Sequence, residues 1–243
     1  MIPIRVGTDC SGIEAPIQAL HQLGIPFTHE FSSDIDKFCI KSIKANYTPK
    51  ILFGDKDGSF PNGDITERNI NDVPDIDLYI CGFPCQTFSI AGKKAGFEDK
   101  RGIVFWSCLE VIQTKLPSYF ILENVRGLLS HNNGETWGVI WQELVNLVDY
   151  KVYYKVLNTR HYGLPQNRER VFMVGIRTTP LNKHEEFVFP NQVEMMDLST
   201  FIDTTATHTD KMPNRLTKTV HLYPEKCLFI DTIVSNIGGI FPN

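Results

Sequence analysis

Residues 77–86 read DLYICGFPCQ. Ile76–Cys81 is a short apolar run, the length and composition of a buried strand. Gly82-Phe83 ends it, and Pro84, Cys85 and Gln86 follow at once. A cysteine that only fills space belongs inside the apolar run, as Cys81 does. Cys85 stands just past it, ahead of a polar, glycine-containing loop (TFSIAGKKAGFEDKRG) that can carry a thiol toward a substrate. A buried strand whose carboxyl end opens into a reactive loop is the layout of ligand sites in open α/β sheets.

The rest of the chain has the same grammar. Ile4–Thr8 reads as a first strand and Asp9-Cys10-Ser11-Gly12 as a turn, after which Ile13, Ile17 and Leu20 recur at helical spacing. A second strand over Pro26–Ser33 precedes a helix with Ile35, Phe38, Cys39 and Ile43 on one face. The glycine- and aspartate-rich 55–63 is a loop. Ile103–Leu116 is helical, Tyr119–Leu122 is a strand ending at Glu123-Asn124, and Asn132-x-x-Glu135 resembles a capping box. The helix it opens should bury Trp137, Ile140, Trp141, Leu144 and Val148. Val152, Tyr154 and Val156 alternate with Lys151, Tyr153 and Lys155, a strand with one wet face. Val171–Ile176 is the last clear strand. Alternating strands and helices predict an α/β fold: a Rossmann-like, mostly parallel sheet with helices on both faces. Beyond about Thr178 no period is clear.

The chain has 243 residues, of which 42% are hydrophobic and 21% charged. That suffices for one α/β domain with some chain to spare. No apolar run reaches the ~18 residues of a membrane helix, and the N-terminus has no signal-peptide pattern. A cytoplasmic or nuclear location, with no membrane partner, is the expectation. The six cysteines are scattered without a second close pair, so reduced thiols and no metal site are expected. The net charge of −4 weighs mildly against a nucleic-acid partner, although basic clusters occur at Lys93, Lys94, Lys100 and Arg101 and at Arg160, His161, Arg168 and Arg170.

At the strand ends the chemistry collects. Cys85 as a thiolate is a nucleophile. Glu123 ends an apolar strand, where burial raises a carboxyl pKa and suits it to acid work. Arg168 and Arg170, at alternate positions before a strand, can grip an oxyanion or carbonyl. Singly, each has a plainer reading: a structural cysteine, a helix cap or ion pair, a solvated strand edge. Together they compose a covalent-catalysis site.

Seven stretches carry a resemblance: Asp9-Cys10-Ser11-Gly12-Ile13-Glu14, Asp34, Gly63-Asp64-Ile65, Gly82-Phe83-Pro84-Cys85-Gln86, Phe97–Gly102, Glu123-Asn124-Val125 and Gln166-Asn167-Arg168-Glu169-Arg170. In this order and spacing, over roughly residues 4–177, the chain resembles the cytosine-5 DNA methyltransferases. The resemblance implies methyl transfer from S-adenosyl-L-methionine to cytosine in double-stranded DNA, on a base flipped out of the duplex. Cys85 would attack the base and Glu123 would hold ring nitrogen 3. Arg168 and Arg170 would hold the base and the Cys85 loop. Gln86, Ser89, Asn124, Lys100 and Arg101 are the implied substrate contacts. Cys10, Ser11, Gly12, Ile13, Asp34, Ile35, Asp64, Ile65 and Pro84 are the implied cofactor contacts, with Asp34 on the ribose hydroxyls. A restriction-modification, viral or epigenetic setting fits equally.

The chain also departs from that pattern. Cys10 stands where many relatives have an aromatic residue, Glu14 and Ala15 replace glycines, and Ile35 stands where some have tryptophan. No convincing match to the family's closing motifs precedes Asn243; Asn214-Arg215-Leu216-Thr217 is a weak echo. Residues 1–178 are therefore expected to be the catalytic domain and 179–243 the beginning of a recognition region. Two readings follow: a second polypeptide supplies the rest, or the chain binds cofactor without activity. A transfer RNA substrate is disfavoured because the Cys-Phe-Thr signature of that branch is absent. A plain nucleotide-binding module would leave Cys85, Glu123 and the arginines idle.

Overall fold

The computed structural model describes residues 2–84, 103–178 and 187–201. Seven strands form one sheet: β1 (Ile4–Asp9), β2 (Phe27–Ser33), β3 (Ile51–Phe53), β4 (Leu78–Cys81), β5 (Tyr119–Val125), β6 (Tyr150–Asn158) and β7 (Glu169–Arg177). Their order is β3-β2-β1-β4-β5-β7-β6. The first five are mutually parallel, while β7 is antiparallel to both β5 and β6. The order reverses between β1 and β4, so the crevice for a ligand lies at their carboxyl ends. Among the described residues four α-helices complete the frame: α1 (Ala15–Gln22), α2 (Lys37–Asn46), α3 (Ile103–Lys115) and α4 (Glu135–Val145).

Strand alternation builds two cores. Tyr79 and Cys81 of β4, with Phe120 and Leu122 of β5, pack on Phe105, Cys108 and Ile112 of α3 and Ile140 and Leu144 of α4. Leu78 and Ile80, with Tyr119 and Ile121, face the other way, onto Ile17 and Leu20 of α1. A period of two feeding two opposite faces is why the central strands read as continuous apolar runs.

Several sequence expectations shift. β3 was not foreseen; three residues are too few to show a period. Ile13 lies before α1 and is 69% exposed. The capping box is absent: Gly134 in the left-handed region caps α4, and Asn132 Nδ2 donates to the Glu135 carboxylate at 2.8 Å. Val148 falls beyond α4 and is 92% exposed. In β6 neither face is simply wet. Tyr154 packs on Trp137 and Trp141, and Tyr153 packs on Phe187. After Arg177 the described residues hold only a 3-10 turn at Leu198–Phe201 and a bridge from Val193 to Tyr162. No helix among the described residues is long and apolar enough to cross a membrane.

Candidate active site

The carboxyl end of β1 turns sharply. Cys10, Gly12 and Glu14 all have positive φ, so the chain doubles back before α1 begins at Ala15. Ser11 ties the turn to β2: its amide donates to the Ser33 carbonyl at 3.0 Å, and its hydroxyl accepts from the Ser33 amide at 2.9 Å. One residue later, Asp34 Oδ2 accepts from the Gly12 amide at 2.9 Å. Gly54 and Gly63 both press against the Asp34 carbonyl, where a Cβ would collide with it. This close approach needs glycine, and it draws Gly63-Asp64-Ile65 to the end of β2. Asp64 spends its Oδ1 on the amide and hydroxyl of Thr66, at 2.9 and 2.7 Å. Ile65 is buried, whereas Ile35 is 78% exposed.

Beneath the turn lies a buried ion pair. Arg68 donates to both Asp9 oxygens at 2.7 and 2.8 Å, and the Tyr79 hydroxyl adds a third bond at 2.7 Å. The side chains of Arg68 and Asp9 are 4% and 0% exposed.

On β5 and β7 the acid and an arginine meet. Glu123 pairs with Phe172 in the ladder and Val125 with Arg170, so Glu123 and Arg170 are diagonal neighbours on one face. Arg170 Nε lies 2.8 Å from Glu123 Oε1. Burial pushes the Glu123 carboxyl above its ordinary range, and the charges of Arg170 and Arg168 pull it back part of the way. Asn124 points to the other face, where its Nδ2 donates to the Phe83 carbonyl at 2.8 Å. It thereby holds the chain two residues before Cys85.

A cavity of about 400 Å³ joins these parts. Its rim combines Cys10, Ser11 and Ile13 of the turn with Glu123, Arg168 and Arg170. The size is in the range of small-molecule sites. Gly12, Asp34, Ile35, Asp64, Ile65, Asn124 and Pro84 are not among the residues lining the cavity, although Gly12 and Asp34 are hydrogen-bonded to each other at the turn. Cys85, Gln86, Ser89, Lys100 and Arg101 lie outside the described residues, as does the stretch 214–217. Sequence reasoning missed Thr8, Thr159 and the apolar wall of Ile80, Ile121 and Phe172, and quoted Gln166 only as part of its motif, with no role of its own. Strand alternation could have found part of that wall, since Ile121 and Phe172 stand two residues from Glu123 and Arg170. Among the described residues no cluster of three or more His, Cys, Asp or Glu is placed to hold a metal ion.

Comparison with known proteins identifies the family and the fold. The family model for C-5 cytosine-specific DNA methylase matches residues 9–230. Type II methyltransferase M1.ScrFI of Lactococcus lactis subsp. cremoris is 44% identical over 164 residues, 68% of this chain and 39% of that protein. Type II methyltransferase M.SsoII of Shigella sonnei is 42% identical over 164 residues, covering 68% and 40%. The chain thus spans less than half the length of these two curated relatives. Among solved structures, a DNMT2 mutant of Spodoptera frugiperda superposes with TM-score 0.62 at 18% identity, covering 84% of this chain and 61% of that one. The S. pombe Dnmt2 methyltransferase gives 0.56 at 20%, covering 76% and 52%. At such identities these two speak to the fold.

Proposed function

We propose that this chain, which belongs to the C-5 cytosine-specific DNA methylase family, carries the machinery to methylate carbon 5 of cytosine in DNA from S-adenosyl-L-methionine. The observation that carries the reading is the single cavity shared by the β1 turn and the Glu123–Arg170 pair. One end suits a cofactor and the other a polar base, so donor and acceptor would face each other.

The residues present fit the cofactor. The Ser11-Gly12 turn offers backbone unobstructed by a side chain at Gly12, and nothing would meet a Cβ there within 4 Å. Asp34 closes that turn and is the residue we assign to the ribose hydroxyls. Asp64 and Ile65, brought alongside by Gly63, are assigned to the adenine; Cys10 and Ile13 line the cavity, and Ile35 and Pro84, outside its lining, are assigned to the cofactor's outer edge. When bound, S-adenosyl-L-methionine supplies an electrophilic methyl group.

The protein's own residues prepare the acceptor. The Cys85 thiolate attacks carbon 6 of a flipped cytosine, and negative charge develops toward ring nitrogen 3. Glu123, its proton favoured by burial, donates to that nitrogen. Arg170 fixes the Glu123 carboxyl, and Arg168 and Gln166 border the base. Carbon 5 becomes nucleophilic and would take the methyl group; a water molecule then takes the carbon-5 proton, the Cys85 thiolate is expelled, and ring nitrogen 3 returns its proton to Glu123, which restores the ring and the enzyme. Asn124 aims the Cys85 strand end through the Phe83 carbonyl. Gln86, Ser89, Lys100 and Arg101 are proposed to meet the DNA, the two cations through phosphates. We assign residues 1–178 to catalysis and 179–243 to the start of target recognition.

Methyl transfer from labelled S-adenosyl-L-methionine to mixed-sequence duplex DNA tests this directly. Incorporation should be present in the wild type and lost in Cys85→Ala. Equal incorporation in both would remove Cys85 from the mechanism.

A further inference from the structure

Glu14 is wholly buried, yet it stands in the left-handed region with φ 61° at the end of the β1 turn. A residue with a Cβ is unfavourable there, and the family's glycine would adopt that geometry freely. Its carboxylate makes contacts that a glycine could not. Oε1 accepts from the Thr8 hydroxyl of β1 at 2.6 Å and from the Ser32 hydroxyl of β2 at 2.5 Å. Each hydroxyl has one proton. Ser32, having given its proton to Glu14, accepts at 2.8 Å from His29 Nε2, which itself lies 3.5 Å from Glu14 Oε1. The Ser11 hydroxyl lies 2.8 Å from the Thr8 hydroxyl and 3.1 Å from the Thr8 carbonyl, either of which can take its one proton. The Glu14 amide donates to the Ser11 carbonyl at 2.9 Å, closing the turn from its other end. Oε2 is buried without a hydrogen-bond partner among the described residues.

We infer that Glu14 is a positioning residue for the cofactor: through Thr8 and Ser32 it clamps the Ser11-Gly12 turn to β1 and β2, replacing glycine's conformational freedom with a buried carboxylate anchor. The chain that touches the cofactor is then held from below by one oxygen atom shared between two strands. The inference rests on the proposed cofactor role of that turn.

Glu14→Gly and Glu14→Gln in the full chain test it. Glycine keeps the backbone geometry and deletes the anchor; glutamine keeps one acceptor oxygen. By calorimetry, Glu14→Gly should weaken S-adenosyl-L-methionine binding about tenfold, and Glu14→Gln less. The cofactor KM should rise with kcat unchanged at saturation. Amide hydrogen exchange at Ser11 and Gly12 should quicken in unliganded Glu14→Gly. If Glu14→Gly, folded by circular dichroism, binds cofactor as the wild type does and exchanges no faster, the inference is overturned. Wild-type chain that binds no cofactor would instead overturn the reading of the turn, and the exchange arm would still decide whether Glu14 holds it.

Discussion

Glu123 shows how much one carboxyl depends on its surroundings. Its folded-state pKa is raised by burial, so the folded chain holds this proton more tightly than the unfolded one. That contribution to stability is complete below the ordinary glutamate value near ~4.3. It is lost as pH rises through the raised folded value. Arg170 works against the rise, so Arg170→Met should move the Glu123 titration further up, measured by carbon-13 NMR of the carboxyl. A downward move would contradict the account. Glu123→Gln should cut methyl transfer by about 10²–10⁴-fold while calorimetric cofactor affinity stays near wild type. The partial burial of this residue and the upward pull on its carboxyl were legible in sequence, because it ends the apolar run Tyr119–Leu122. Its tie to Arg170 was not, because diagonal pairing depends on the β5–β7 register.

At the level of elements, two small devices hold strand ends and helix starts in place. Asp36 caps α2, accepting from the Phe38 amide at 2.6 Å, and its own amide donates to Asp34. Asp36→Ala should cost about 1 kcal/mol, read by chemical denaturation, and should also loosen Asp34 and weaken cofactor binding. Asp77 joins the start of β4 to β1, accepting from the Arg5 amide and guanidinium at 2.8–3.1 Å. Burial pushes its carboxyl up, but the bonds and charge of Arg5 outweigh that and leave it low. The stability it supplies is therefore present above the unfolded aspartate value and lost as pH falls through the depressed one. Both side chains are about a third exposed or more, so Asp77→Asn should cost only about 0.5–1 kcal/mol, with a flatter acid limb. The long central strands were legible because each face of the sheet has its own core. The cap of α4 was misread: Asn132 and Glu135 have the right spacing, but Asn132 and Asn133 at positive φ and Gly134 redirect the chain before the helix begins.

Across the whole molecule, the site is an assembly of strand ends, and segments distant in sequence are joined beneath it. Asp9 and Arg68 are 59 residues apart and almost fully buried. Arg68→Met would strand the Asp9 carboxylate in the core, and urea denaturation should show a loss of about 3–5 kcal/mol. A loss under 1 kcal/mol would mean that the pair is not buried as described. Nothing in the sequence marked Arg68, since an arginine four residues past Asp64 reads as solvated until the fold turns it inward. The central claim is that Cys85 bonds to cytosine while the β1 turn holds the methyl donor. It is tested most directly with duplex DNA containing 5-fluorocytosine, whose fluorine cannot leave as a proton does and so traps the adduct. Mass spectrometry after incubation with S-adenosyl-L-methionine should find the methylated base on the peptide containing Cys85. No trapped adduct, or an adduct on another residue, would contradict the account.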